Sequence, residues 1–249
     1  MHTSTPPTWI VFDAVGTLIH PDPPVAVAYG QAARHHGSFL TADDIRPRFR
    51  RVWAASETHD LAGAASSAAT DPLATNEDRE RQRWRWIVEQ VIDDIADPDA
   101  CFEELWQHFA RPTSWSCFPD VAESLADLAR AGFRLAIASN FDQRLPPICA
   151  NLPALGPIQL CVVSSVVGYR KPSSHFFAAL SRATNCPADR LLMVGDDFES
   201  DVAGALAAGL SARFLNRRSD SPAATDQIAS LIELRDEFVP SPLRGRGLG

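Results

Sequence analysis

Five short, largely apolar runs punctuate the chain: Trp9-Ile10-Val11-Phe12, Arg134 to Ala138, Leu160 to Val163, Leu191 to Val194 and Ala212 to Leu215. Each stops at polar or small residues: Asp13 with Gly16, Ser139-Asn140, Ser164-Ser165, Gly195-Asp196-Asp197 and Asn216. A brief apolar run cut off in this way predicts a buried strand entering a loop. Between the runs lie segments of helical periodicity, at Val121 to Ala131, Arg144 to Asn151, His175 to Thr184, Val202 to Ala208 and Thr225 to Leu234. Strands alternating with helices at this spacing predict βαβ units, hence an α/β fold with an open parallel sheet and helices on both faces.

Residues 21–112 break the pattern. They lack short apolar strands, and Val25 to His36, Ala42 to Glu57, Glu77 to Asp94 and Ala100 to Phe109 each read as amphipathic helices. Pro21, Pro23 and Pro24 at one end and Pro112 at the other punctuate the segment, and the small residues of Ala62 to Ala74 read as a loop. The expected organisation is an α/β core of residues 1–20 and 113–239, a helical insertion at 21–112 and a flexible Gly/Pro-rich tail at 240–249.

Composition narrows the function classes. With 45% apolar and 22% charged residues the chain can bury a substantial core, which excludes disorder or a coiled coil as its main architecture. A formal charge of −8 disfavours phosphate backbones and anionic lipid, so neither nucleic acid nor membrane is an expected partner. Cys101, Cys117, Cys149, Cys161 and Cys186 are dispersed with no CxxC pair, against both a disulfide framework and a zinc site. No apolar stretch approaches the ~18 residues of a membrane span, and Met1 to Thr8 has no signal-like pattern. These features suggest a cytoplasmic protein.

In an open parallel sheet, ligands gather beyond the carboxyl ends of the strands. There this chain places Asp13 and Thr17, then Ser139 and Asn140, then Lys171, then Asp196, Asp197 and Asp201. A carboxylate, a hydroxyl with an amide, a lysine and an acidic cluster suit phosphoryl transfer through an aspartyl intermediate, with the acids holding a magnesium ion. Each residue also has a plainer reading. Ser139 and Asp142 could cap helices, Lys171 could be a solvated loop residue, and Asp197 could either orient Lys171 or cap a helix; Glu199 reads as exposed. Arg34, Arg46, Arg50, Arg83 and Arg85 read as solvated, and Trp84 and Trp86 as core. The adjacent His35 and His36 fall on neighbouring helix faces, which argues against shared metal ligation and for a surface position.

Asp13-Ala14-Val15-Gly16-Thr17-Leu18, Ser139-Asn140, Lys171-Pro172 and Gly195-Asp196-Asp197 with Asp201 resemble the four ordered motifs of the haloacid dehalogenase-like hydrolase superfamily. The helical insertion after the first motif is similar to that superfamily's first type of cap, and the first two motifs look most like its rhythmically-expressed-gene-product subgroup. The resemblance implies Asp13 as nucleophile and Lys171 as its partner, with Thr17, Ser139 and Asn140 on the substrate. It also implies a Mg²⁺ held by Asp13, Asp196, Asp201 and the Val15 carbonyl, and a small phosphorylated substrate.

One position departs from the pattern. The superfamily's phosphatases usually carry a second aspartate two residues after the nucleophile as general acid/base; here it is Val15. General acid/base catalysis is worth ~10²–10⁴-fold, so the departure bears on the reaction. The expectations are a substrate with a good leaving group, a proton donor from elsewhere such as His20, Asp22 or the insertion, or a protein that binds a phospholigand with little turnover. Haloacid dehalogenases also lack that second acid, but they work without metal. The acids at 196 and 201 therefore lean towards phosphate chemistry.

Overall fold

The computed structural model describes residues 7–66, 71–217 and 226–239. Strand β1 (Trp9–Phe12) is followed by β2 (Ile19–Pro21). Four helices come next: α1 (Val25–His35), α2 (Ala42–Ser66), α3 (Glu77–Val91) and α4 (Pro98–His108). The chain then runs through β3 (Trp115–Cys117), α5 (Val121–Arg130), β4 (Arg134–Ser139), α6 (Leu145–Ala150), β5 (Leu160–Val163), α7 (Ser164–Val167), α8 (Ser174–Thr184) and β6 (Leu191–Gly195). A π-helical segment, Phe198–Ala203, continues into α9 (Gly204–Ala207), before β7 (Ser211–Leu215), β8 (Gln227–Ile228) and α10 (Leu231–Phe238).

The main sheet has the order β5-β4-β1-β6-β7-β8, and all its pairings are parallel. Because side chains alternate along a strand, β1 sends Ile10 and Phe12 to one face and Trp9 and Val11 to the other. The first pair packs with Leu125 of α5, Ile148 of α6 and Leu234 of α10, the second with Phe177 and Leu180 of α8 and Ala205 of α9. Both faces are covered, which is why the strands are apolar throughout rather than alternating. A third cluster, including Tyr29, Ile45, Ile87, Val91 and Phe102, belongs to α1–α4. Their two connections to the sheet run side by side as the antiparallel pair β2–β3, with Ile19 opposite Cys117 and Pro21 opposite Trp115.

The five expected strands are all present. The differences lie elsewhere. The expected helix Thr225 to Leu234 is a short strand followed by a later helix, because the free edge of β7 takes up the backbone there: Phe214 N donates to Asp226 O at 2.9 Å and Asn216 N to Ile228 O at 2.8 Å. Helix α2 runs on to Ser66, so part of the expected loop is helical, as its alanines allow. Helix α4 starts at Pro98 behind an Asp97 cap that accepts from Ala100 N. The expected Val202 helix begins earlier, as the π-helical segment. The tail 240–249 lies outside the described residues. Among the described residues, no helix is long and apolar enough to cross a membrane.

Candidate active site

The carboxyl ends of β1, β4 and β6 meet at one rim of a cleft of about 400 Å³. Asp13 follows β1, and its backbone N–H is tied to Val194 O at 2.9 Å. Lys171 is buried beneath it and spends all three of its donors: 2.8 Å to Asp13 Oδ1, 2.6 Å to Asp201 Oδ1 and 2.8 Å to the Ala138 carbonyl. It is no solvated loop lysine. Asn140 fixes the loop that carries it, accepting from Lys171 N at 2.7 Å and donating to Lys171 O at 3.0 Å.

Asp13, Asp196 and Asp201 bring carboxylate oxygens within 4.8 Å of one another. Two glycines permit this. A Cβ on Gly16, whose φ is +95°, would lie 2.2 Å from Asp196 Oδ2, and one on Gly195 would lie 2.0 Å from Asp201 Oδ2. Asp196 opens onto the cleft, yet loss of water around its carboxyl, reinforced by the Asp13 charge, pushes its pKa up to about 6. Burial likewise raises Asp201 against the pull of Lys171. Burial alone would lower Lys171, but Asp13 and Asp201 outweigh it and hold the ammonium above its ordinary range. Three carboxylates against one ammonium leave two negative charges uncompensated. A hard divalent cation with oxygen ligands fits that excess, and the donor set suits Mg²⁺.

The remaining candidates fall into place unevenly. Ser139, buried at the end of β4, lines the cleft, as does Val15, whose side chain also packs against the core. Thr17 does not line it: fully buried, its hydroxyl donates to Asp196 Oδ1 at 2.8 Å. Asp197 caps the π-helical segment through Ser200 N, and Asp142 accepts from Arg144 N and pairs with the Arg144 guanidinium. His20 packs on Phe118, and Asp22 accepts from Ser116 Oγ; neither lines the cleft.

Four side chains depart from their sequence reading or escape it. Arg83 is buried in the cleft wall, with its guanidinium over Trp53 and a 2.9 Å bond to Ser56 Oγ. His36 caps α1 rather than continuing it, so both His35 Nδ1 and His36 Nε2 reach Glu104 Oε2, at 2.8 and 2.9 Å. Arg217 pairs with Asp120 and donates to the Thr17 carbonyl at 2.8 Å, bracing the loop after β1. Its place just beyond β7 is the one sequence signal that could have singled it out.

The sequence profile of the haloacid dehalogenase-like hydrolases matches residues 7–209. The chain belongs to the haloacid dehalogenase-like hydrolase family. Human haloacid dehalogenase-like hydrolase domain-containing protein 3 is 26% identical over 239 residues, 94% of this chain and 89% of that protein. A ribulose-1,5-bisphosphate 5-phosphatase from Halopiger xanaduensis is 32% identical over 120 residues, 46% of this chain and 49% of that protein. Two solved structures share the fold. The magnesium-bound HAD-hydrolase YfnB of Bacillus subtilis has a TM-score of 0.71 at 17% identity, covering 94% of this chain and 99% of that one. A 2-haloacid dehalogenase from Pseudomonas syringae has 0.60 at 22%, covering 93% and 97%.

Proposed function

We propose that this hydrolase cleaves small phosphorylated molecules with the help of Mg²⁺, through a phosphoryl group carried transiently on Asp13. The observation that supports this best is the buried Lys171 ammonium held between Asp13 and Asp201 beside Asp196, a cluster left with excess negative charge. The partial match to a sugar-bisphosphate phosphatase points the same way.

In this reading Lys171 holds the Asp13 carboxylate aimed through its 2.8 Å bond, and Asn140 holds Lys171 in place. Ser139 donates its hydroxyl to a phosphate oxygen, while Thr17 serves the site through the Asp196 carboxylate rather than by touching substrate. Asp13, Asp196, Asp201 and the Val15 carbonyl hold Mg²⁺, which when bound withdraws charge from the phosphoryl oxygens and offsets their repulsion by the carboxylates. An Asp13 oxygen attacks phosphorus, and the bond to the leaving oxygen breaks with its electron pair. Water then attacks the same phosphorus and frees the Asp13 carboxylate. Helices α1–α4 act as a cap that excludes bulk water and selects the substrate.

The test is phosphate release from para-nitrophenyl phosphate and acetyl phosphate, with Mg²⁺ and with EDTA, in the wild type and in Asp13→Asn. Metal-dependent release lost in the variant is expected; release that survives Asp13→Asn would overturn the assignment. Val15 favours a second reading, carbon–halogen hydrolysis through an ester on Asp13, because a halide leaves without a proton. That reading requires turnover of a short 2-halo acid that persists in EDTA.

A further inference from the structure

The cleft is two-sided. One wall carries the ionic cluster. The other, from α1–α4, carries Tyr29, Phe49, Trp53, Trp84, Phe102 and Trp106. Four of these rings form a connected chain: Tyr29 meets Phe49 edge-on at 5.3 Å, Phe49 stacks on Trp53 at 6.0 Å, and Trp53 lies 5.5 Å from Trp84. Phe102 and Trp106 form a second pair at 5.6 Å. Nearby, Arg144 is neutralised by Asp142 and lies over Trp106, its guanidinium carbon 3.4 Å from the ring centroid. Apart from Arg83, which lies over Trp53 in the same wall, and the Tyr29 hydroxyl, these side chains offer a polyol few partners for the water its hydroxyls would lose. The wall is well matched to a flat ring, which it can stack upon or meet edge-on.

A second, independent feature concerns the leaving oxygen. Position 15 supplies no acid, and the cleft's other carboxyl groups are engaged: Asp13 and Asp201 on Lys171, Asp196 on Thr17, Asp197 on the Ser200 amide. A phenolic oxygen has a pKa of about 10, whereas an aliphatic alkoxide approaches the basicity of hydroxide, near 15.7 for water. The first departs far more readily without a proton.

Resting on the phosphatase reading above, we infer that the substrate is an aryl phosphate: a phosphate monoester of a phenol-type hydroxyl, with its ring system against the α1–α4 wall. Asp13 displaces the aryloxide, which leaves with the P–O electron pair and takes its proton from solvent. Water then displaces Asp13 from phosphorus, giving overall a phenol and inorganic phosphate. A benzene-sized space is about 150 Å³, so a cleft of about 400 Å³ accepts more than a single ring.

Steady-state kinetics with naphthyl, phenyl, benzyl and acetyl phosphate, all with Mg²⁺, separate the two features. Phenyl and benzyl phosphate carry the same ring but differ in leaving-group basicity; phenyl should exceed benzyl by at least ~10²-fold in kcat. Naphthyl phosphate should exceed phenyl at least ~10-fold in kcat/KM through added ring burial. In Trp84→Ala the naphthyl-to-acetyl ratio of kcat/KM should fall about tenfold. Equal rates for benzyl and phenyl, or a naphthyl-to-acetyl ratio indifferent to Trp84, would overturn the inference. Turnover of acetyl phosphate with none of the aryl esters would overturn it while leaving the phosphatase reading intact. Failure of all four, with Asp13→Asn indistinguishable from wild type, would overturn both.

Discussion

Valine at position 15, where the motif resemblance leads one to expect an acid/base aspartate, bears most directly on the proposed chemistry. It lines the cleft, and nearly the same side-chain volume could carry a carboxyl group. Val15→Asp should therefore raise kcat on benzyl phosphate by ~10-fold or more relative to phenyl phosphate; an unchanged ratio would mean that position 15 does not face the leaving oxygen. The neighbouring Gly16 has no such latitude. Its left-handed φ and its contact with Asp196 leave no room for a methyl group, so Gly16→Ala should cost ~1–3 kcal/mol in urea denaturation and weaken Mg²⁺ binding by calorimetry. The acids and Lys171 were legible in the sequence because strand ends are where a parallel sheet collects its ligands. The bonds that Thr17 makes to Asp196 and Asn140 to Lys171 were not. A hydroxyl or an amide at a strand end can face a ligand or brace a neighbour, and only the fold decides which atom lies 2.8 Å away.

At the level of elements, the connection between α2 and α3 lies against the loop that carries Lys171. Ala74 bridges Tyr169, Arg170 N donates to Leu73 O at 2.8 Å, and Thr75 N donates to Gly168 O at 2.9 Å. Together with the Asn140 clamp, this ties the lysine to both the sheet and the helical insertion. Asn140→Ala removes both bonds of the clamp and should cost about 1–3 kcal/mol in denaturant unfolding, with kcat falling more than KM changes. A stable variant with full kcat would show that Lys171 is positioned by other contacts. Apolar runs announced five strands plainly, since a strand buried on both faces has no other pattern. The sequence hid β8, because Gln227 and Ile228 pair only where the edge of β7 offers them backbone partners, and local periodicity across them reads as helix. Helix α2 outran its expected end for the converse reason: alanine needs no cap to remain helical.

For the whole molecule, the site concentrates carboxylates in a chain that is already acidic overall, and their mutual repulsion opposes folding unless a cation is bound. Asp196 has a folded pKa of about 6, above the ordinary carboxylate value. Metal-free stability from this group is therefore present at low pH and lost as pH rises from about 4 through about 6, where the folded state gives up a proton it holds more tightly than the unfolded chain. In the proposed reading Mg²⁺ would offset the charge, and below about pH 6 a proton on Asp196 would compete with it. The Mg²⁺-induced rise in Tm should accordingly be larger near pH 7.5 than near pH 5, and vanish with EDTA; a shift independent of pH would separate Asp196 from the metal.

The covalent step on Asp13 is tested most directly by acid-quenching the enzyme during turnover of a ³²P-labelled aryl phosphate and mapping the label. Without a base at position 15, hydrolysis of the phosphorylated carboxylate should lag behind its formation. A hydroxylamine-labile label is then expected on the peptide containing Asp13, and none in Asp13→Asn. Steady turnover with no label at Asp13, or with label at another residue, would contradict the account.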